Sequence, residues 1–343
     1  MIKNIIYFSY FVLKTNYTDL RKSLHCTKKK GHSFFKLVFD MCRCTLRYGT
    51  SFVDYFNFKF YEKTAKDRKE YASMGVMYKF HNMLNDKAYI EEVDNKELFN
   101  KNFLEFSNKI FVFSKSQSGE VLEFLKSKKD KKIVVKNPNS TAGRGVKIYT
   151  ITESNNSFFI DNLKIEDFCS NHFMENDSIY FEDFIVQHNA INNISPSAVN
   201  TLRIISIVDD NGKPEIIGSV FRISVNCSID NYSVGNLAAE IDLNTGKVIT
   251  GGIIKRASCD NYHDTHPITN QPILGFQIPF WDETIAMVKK AAWVVPQVRT
   301  IGWDVAITEN GPVLIEGNSK WNKDTWQIPA GKGKLNIIKK YLN

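Results

Sequence analysis

The sequence is poor in the residues that mark special architectures. Six cysteines in 343 residues, with no Cys-x-x-Cys pair and a closest pair at Cys42 and Cys44, exclude a disulfide scaffold, a zinc knuckle and a thioredoxin-type redox site. The cysteines are expected to be reduced and structural, in a cytoplasmic chain. Eighteen glycines and nine prolines are too few for a collagen-like or low-complexity protein. The longest apolar run, Ile5 to Leu13, is about half of the roughly 20 residues a membrane span needs. No small-x-small cleavage site follows it, so a signal peptide is not expected either. It reads as a buried helix or as an interfacial helix beside a basic patch. Helix-turn-helix, zinc-finger and RNA-recognition signatures are absent, and no nucleic-acid partner is expected.

What the sequence has in excess is positive charge at one end. Residues 1–70 hold 15 Lys and Arg against six acids, a net +9, while the whole chain carries +8. Such an excess favours an anionic partner: lipid headgroups or a lipid-linked sugar phosphate.

The first 95 residues lack turn clusters and β-branched runs and read as mostly helical. Phe34, Leu37, Val38 and Met41 are spaced as one helix face, and Tyr71, Met74, Met77 and Tyr78 as another. From about Phe111 short β-rich runs take over: 110–113, 132–136, 178–187, 201–208 and 214–224. Asp209-Asp-Asn-Gly212 is a hairpin turn, Asp242 to Gly246 another, and Glu309 to Pro312 a third. A helix is expected from about Trp281 to Gln297. The class is α+β with antiparallel hairpins and a mostly helical, basic N-terminal region.

Two patterns carry chemistry. Lys136 ends a β-run and is followed by Gly143-Arg144-Gly145, a loop whose backbone can approach phosphate oxygens, although it is no Walker loop because no Gly-Lys-Ser/Thr follows. Asp304, and then Glu316 and Asn318 two residues apart, fall on two strands of one hairpin. Residues two apart on a strand share a face, and three oxygen ligands converging there suit Mg²⁺ bridging nucleotide phosphates. His263 and His266 have no third ligand and are not read as a zinc site.

The order of Lys136, the loop 143–145, Glu182-Asp-Phe-Ile185, Arg203, Arg222 and Asp304/Glu316/Asn318 resembles the ATP-grasp superfamily. The segments 197–203, 230–236, 241–247, His266-Pro267, 275–281 and 301–308 resemble, more narrowly, its sugar-transfer-associated family of bacterial polysaccharide synthesis. The resemblance covers about residues 90–330. It implies an ATP-grasp fold, two α+β lobes clamping ATP, with an N-lobe and its lid at 91–190 and a C-lobe with the metal and substrate site at 191–343; it does not account for the helical region at 1–90. Lys136 and Lys96 would hold ATP phosphates, with Gly143, Arg144 and Gly145 in a lid over them. Glu182, Asp183, Phe184 and Ile185 would receive adenine, and Gln187 or His188 the ribose. Arg203 and Arg222 would clamp the moving phosphoryl group or the acceptor carboxylate, and two Mg²⁺ ions would sit on Asp304, Glu316 and Asn318. Asn200, Asn236 and His266 would line the substrate site, while Trp303 is expected in the core.

The activity so implied is an ATP-dependent carboxylate–amine ligase acting through an acyl phosphate. It would join a hexuronic acid to an amino acid or other amine in capsule or O-antigen synthesis, with peripheral docking of residues 1–70 at the cytoplasmic face of the inner membrane. Alternatives are an amino-acid ligase without sugar, a kinase, or a non-catalytic ATP-binding scaffold.

Overall fold

The computed structural model describes residues 2–136, 146–226, 232 and 235–342. Helices come first: α1 (Ile2–Lys14), α2 (Tyr17–Lys29), α3 (Phe34–Tyr48), α4 (Phe52–Asn57), α5 (Ala65–Lys69), α6 (Met74–Leu84), α7 (Glu91–Asp94) and α8 (Lys96–Asn102). Side-chain caps start several of them. Asn16 accepts from the amides of Thr18 and Asp19, Ser51 from that of Asp54, Thr64 and Asp67 form a capping box, and Asn95 accepts from Glu97 and Leu98. Gly49, at φ +67°, ends α3 in the left-handed region.

Two sequence-derived faces need correction. On α3 the core takes Leu37, Met41 and Cys44, whereas Phe34 is exposed. Tyr71 precedes α6, whose inward face is Met77, Phe80, His81 and Leu84, with Met74 and Tyr78 outside. A period of 3.6 admits several registers of an apolar stripe, and packing chooses among them.

The first sheet comprises β1 (Ile110–Ser114), β2 (Lys132–Lys136), β3 (Val146–Ser154), β4 (Ser157–Ile160), β5 (Leu163–Lys164) and β6 (Ser178–Asp183), in the order β1-β6-β2-β3-β4-β5 and antiparallel throughout. α9 (Ser118–Ser127) and α10 (Ile165–Glu175) cover one face, where Val121, Leu125 and Phe173 bury Ile133, Val135, Ile179 and Phe181. Strand alternation then turns Val134, Lys136, Tyr180 and Glu182 to the other face.

The second sheet comprises β7 (Thr201–Val208), β8 (Pro214–Ile223), β9 (Leu237–Glu240), β10 (Ile253–Ile254), β11 (Thr300–Thr308) and β12 (Gly311–Asn318), in the order β10-β9-β8-β7-β11-β12. The expected hairpin turn at 209–212 joins β7 to β8: Asp209 accepts from the amides of Asn211 and Lys213, and Gly212 takes φ +77°. Both faces are covered, which is why 201–208 reads as a nearly unbroken apolar run. One face buries Leu202, Ile204, Trp303 and Val305 with Val93, Phe99 and Phe103, beneath α11 (Asn189–Ile194) and α12 (Trp281–Ala291). α12 stops six residues before the expected end, and Pro296 bars any helix from reaching Gln297, since its ring would clash with the carbonyl of Ala292.

Part of the opposite face packs on Phe80, Trp321 and Trp326. Nearer β10, Val220, Ala238 and Ile253 meet the N-terminal Phe58, Phe60 and Tyr71. The N-terminal helices are therefore built onto the second sheet. Lys323 of α13 (Lys323–Gln327), buried between Asp54 (2.9 Å) and Asp324 (2.6 Å), adds a polar link. A disulfide joins Cys26 to Cys259, correcting the expectation of reduced cysteines. The two lie 233 residues apart, and only the packing of α2 beside residues 257–259 makes them neighbours. Cys42, Cys44 and Cys169 are free, and burial pushes the Cys44 and Cys169 thiols up to about 12. Among the described residues no helix is long and apolar enough to cross a membrane.

Candidate active site

The cleft-facing side of the first sheet carries the lysine expected to bind phosphate. Val134 stands opposite Glu182 and Lys136 opposite Tyr180, so all four share a face. Lys136 Nζ donates to Glu182 Oε1 at 2.5 Å, and the Tyr180 hydroxyl donates to Glu97 of α8. Lys96, the first residue of α8, sits close to this pair. Burial and the positive charge of Lys136 draw its ammonium below its usual range, while Glu316 and Glu182 oppose that shift. Lys96 thus bridges the fields of the two sheets. Where they meet, Phe99, Ser107, Glu182, Ile185 and Leu314 line a narrow crevice of about 20 Å³, and the buried Ser107 Oγ in it has no hydrogen-bond partner among the described residues.

On the second sheet the pairing Val220–Arg203–Asp304–Glu316 forms one row across β8, β7, β11 and β12. Directly opposed residues point the same way, so Arg203, Asp304 and Glu316 share a face, and Arg222, two residues beyond Val220, joins them. Arg203 holds Asp304 through Nε to Oδ1 (2.5 Å) and Nη2 to Oδ2 (3.0 Å), and Arg222 Nη1 donates to Oδ2 at 2.8 Å. Burial alone would raise the Asp304 carboxyl. The two guanidinium groups more than reverse this and hold it well below the carboxylate range. Glu316 lies at the rim, open to solvent on one side and enclosed by protein on the others. That enclosure and the neighbouring Asp304 push its carboxyl up to about 6. Asn318 Nδ2 donates to Glu316 Oε1 at 3.3 Å.

Two like charges opposed on paired strands, one of them pushed toward neutrality, form a set that a divalent cation would relieve, and the donors are the hard oxygens Mg²⁺ prefers. Among the described residues no group of three or more His, Cys, Asp or Glu gathers to cage a metal. A cation here would therefore rely on two carboxylates, the Asn318 amide and oxygens of its ligand.

Several expected ligand contacts have other duties. The Asp183 carboxylate lies on the helix side, bound at 2.5 Å to Lys128, which follows α9, because β6 alternation turns it away from Glu182. Phe184 lies under the ammonium of Lys132. Gln187 is buried, donating to Asn192 and Ser195 and accepting from Asn200. His188 caps α11, its Nδ1 accepting from the Ala190 amide. Arg203 and Arg222 have their tips on Asp304 rather than open to a phosphoryl group. Asn200, Asn236 and His266 converge on the end of β8: Asn200 Oδ1 accepts from the Ser224 amide (2.8 Å), Asn236 Oδ1 from the Val225 amide (2.9 Å), and His266 Nε2 meets the Ser224 carbonyl (2.9 Å). His266 Nδ1 accepts two amides, from Ile268 and Thr269, so Nε2 carries the proton. Trp303 is core, as expected. Gly143, Arg144 and Gly145 lie outside the described residues.

Sequence reasoning passed over Glu97 and Tyr180, and it offered Glu240 or Glu316 as ion-pair partners of the two arginines, whose partner is Asp304. Glu97 adjoins Lys96, and Tyr180 is two residues from Glu182, so strand periodicity could have placed it in the cleft. Glu240 ends the apolar strand β9 opposite Val220, on the same row as Arg203, and is held by Lys334 at 2.8 Å.

A family model described as sugar-transfer associated ATP-grasp matches residues 76–342. Among solved structures, the ATP-grasp ligase PsnB complexed with a minimal precursor is similar at 11% identity and TM-score 0.42, over 76% of this chain and 62% of that one. D-alanyl-alanine synthetase A from Vibrio cholerae O1 biovar eltor str. N16961 is similar at 11% identity and TM-score 0.41, over 73% and 64%. The chain thus spans less than two thirds of the length of these two proteins. No curated protein matches it.

Proposed function

The chain belongs to the sugar-transfer associated ATP-grasp family, and we propose that it is an ATP-dependent carboxylate–amine ligase working through an acyl phosphate. The observation that carries this reading is the meeting of Lys96, Lys136 and Glu182 with the row Arg203–Asp304–Glu316 at one cleft. A carboxylate oxygen of the acceptor attacks the γ-phosphorus of ATP and ADP leaves. The amine then attacks the acyl carbon, the C–O bond to phosphate breaks, and inorganic phosphate is released.

In this reading the protein positions and neutralises, and no side chain acts as nucleophile. Lys136, fixed by Glu182, and Lys96 bind phosphate oxygens. Ile185 and Leu314 flank the place of the base, and the crevice of about 20 Å³ would have to widen to admit it. Asp304, Glu316 and Asn318 hold Mg²⁺, two ions in the full form of the reading. Bound there, the metal neutralises nucleotide phosphate charge. Arg203 and Arg222 keep Asp304 ionised and place their own charge beside the transferred group. The acceptor we favour is a sugar carboxylate, a hexuronic acid of capsular polysaccharide or O-antigen, joined to an amino acid or amine. Residues 1–70 would make peripheral, charge-driven contact with an anionic membrane at the cytoplasmic face.

The test is ADP release from ATP-Mg²⁺ with uronic acids and amines offered singly and together. Release that needs both substrates, with free phosphate formed and the activity lost in Glu316→Ala, supports the ligase. Phosphate retained on product makes it a kinase, and nucleotide binding without turnover makes it a scaffold.

A further inference from the structure

The N-terminal helices show a pattern that packing on the second sheet leaves unexplained. A helix lying on a core should be polar on its outer side. α3 instead has a second apolar row opposite its buried one. Phe35 and Phe39 stand 83% and 71% exposed, one turn apart, with the exposed Leu46 on the same line. α1, which packs against α3, repeats the device with Ile6, Tyr10 and Leu13 at spacings of four and three, and Leu13 is 80% exposed. Side chains this large and this exposed, in rows, mark an interaction surface.

The charges around the rows identify the occupant. On α3, Lys36, Arg43 and Arg47 form an exposed line about a quarter-turn from Phe35 and Phe39, and Lys14, Lys28, Lys29 and Lys30 lie exposed at the ends of α1 and α2. The only acids in residues 1–48, Asp19 and Asp40, are engaged within the fold, Asp19 by Arg256 and Asp40 by Arg68 and Tyr55. The surface therefore presents aromatic and aliphatic side chains beside uncompensated positive charge, which is complementary to acyl chains beneath anionic headgroups. The helices meet the sheet around β8 to β10, on the face that also carries Asp304 and Glu316 but toward the other end of the strand order from β11 and β12, where those two lie.

We infer that the outer rows of α1 and α3 are an interfacial anchor, inserting Ile6, Tyr10, Leu13, Phe35 and Phe39 into the acyl boundary of an anionic bilayer. This rests on the peripheral-contact reading above, which needs charge alone, and adds insertion by a defined face. The test is flotation of the full chain with vesicles of phosphatidylglycerol and phosphatidylcholine in equal parts, or of phosphatidylcholine alone, at low and high salt. It is run beside Phe35→Ser/Phe39→Ser, Lys36→Glu/Arg43→Glu, and Phe35→Trp for fluorescence with brominated lipid. Expected are binding to the anionic vesicles, about tenfold or greater loss in the serine variant at unchanged melting temperature, residual wild-type binding in high salt, and bromine quenching of the introduced indole beyond that of the wild type. Wild-type binding that the serine variant retains and salt abolishes, or an introduced indole that bromine does not quench, overturns insertion and leaves charge-driven contact standing. No binding of the wild type overturns both. A dimer that the serine variant dissolves, without vesicle binding, makes the face a contact between copies of this chain.

Discussion

Replacing Glu316 by Gln should separate the cost of a crowded carboxylate from its use. The carboxyl ordinarily titrates near 4.5 and is pushed to about 6 in the fold. A raised carboxyl pKa means that the folded state holds the proton more tightly than the unfolded state does. Its contribution is therefore favourable below about pH 4.5 and is lost as pH rises through 6. Undiscounted, the difference is worth about 2 kcal/mol at neutral pH. One side of Glu316 is open to water, and screening reduces this to about 1 kcal/mol or less. Gln keeps the shape without the charge. The variant, free of nucleotide and metal, should melt about 1–3 °C above the wild type at pH 7.5 and equal to it near pH 4. Nucleotide and Mg²⁺ should reverse the order, since a ligand at a hundredfold its Kd stabilises the wild type by about 2.7 kcal/mol and the variant by little. The assay is thermal unfolding across pH, with EDTA and with ATP-Mg²⁺. A variant less stable than the wild type in EDTA, and still raised by ATP-Mg²⁺, would refute the like-charge argument and the metal assignment together.

Two further outcomes follow from contacts already described. Asn200→Ala should destabilise by about 1–3 kcal/mol, because it strands the buried Ser224 amide, while Gln187 Oε1 keeps the backbone amide of residue 200; chemical denaturation reads this, and an effect on substrate KM with stability intact would return Asn200 to the substrate site. Cys26→Ser, or reduction by dithiothreitol, should lower the melting temperature by the equivalent of a few kcal/mol through release of a long cross-link, yet leave the N-terminal helices docked through Asp54–Lys323 and the aromatic core; no change in melting would show that the cross-link adds nothing to stability.

Much of the candidate site was legible in the linear order of residues. Glu316 and Asn318 share a face by strand period, and their hairpin with Asp304 follows from the turn at Glu309 to Pro312 between two apolar runs. Lys136 was marked by ending a β-run. Less was legible where a polar residue had several partners within reach. Asp183 and Glu182 are adjacent, and only the sheet's buried face tells which one enters the cleft. Asn200, Asn236 and His266 read as substrate contacts because polar groups in apolar surroundings need partners. Their partners proved to be backbone groups at the end of β8, whose position no local pattern encodes.

By itself the sequence determined the period of each strand, the turns that pair them, the helical and basic character of the N-terminus, and the carboxylates and lysines that meet at the cleft. Those properties arise from near neighbours, where side-chain volume and backbone preference act within a few residues. Only the tertiary structure decided that the N-terminal helices sit on the second sheet, that Cys26 meets Cys259, that Asp304 is gripped by two arginines, and that α1 and α3 keep apolar rows outside. Each of these depends on contacts between distant parts of the chain, and what a side chain can pair with is settled by which surfaces folding has already buried.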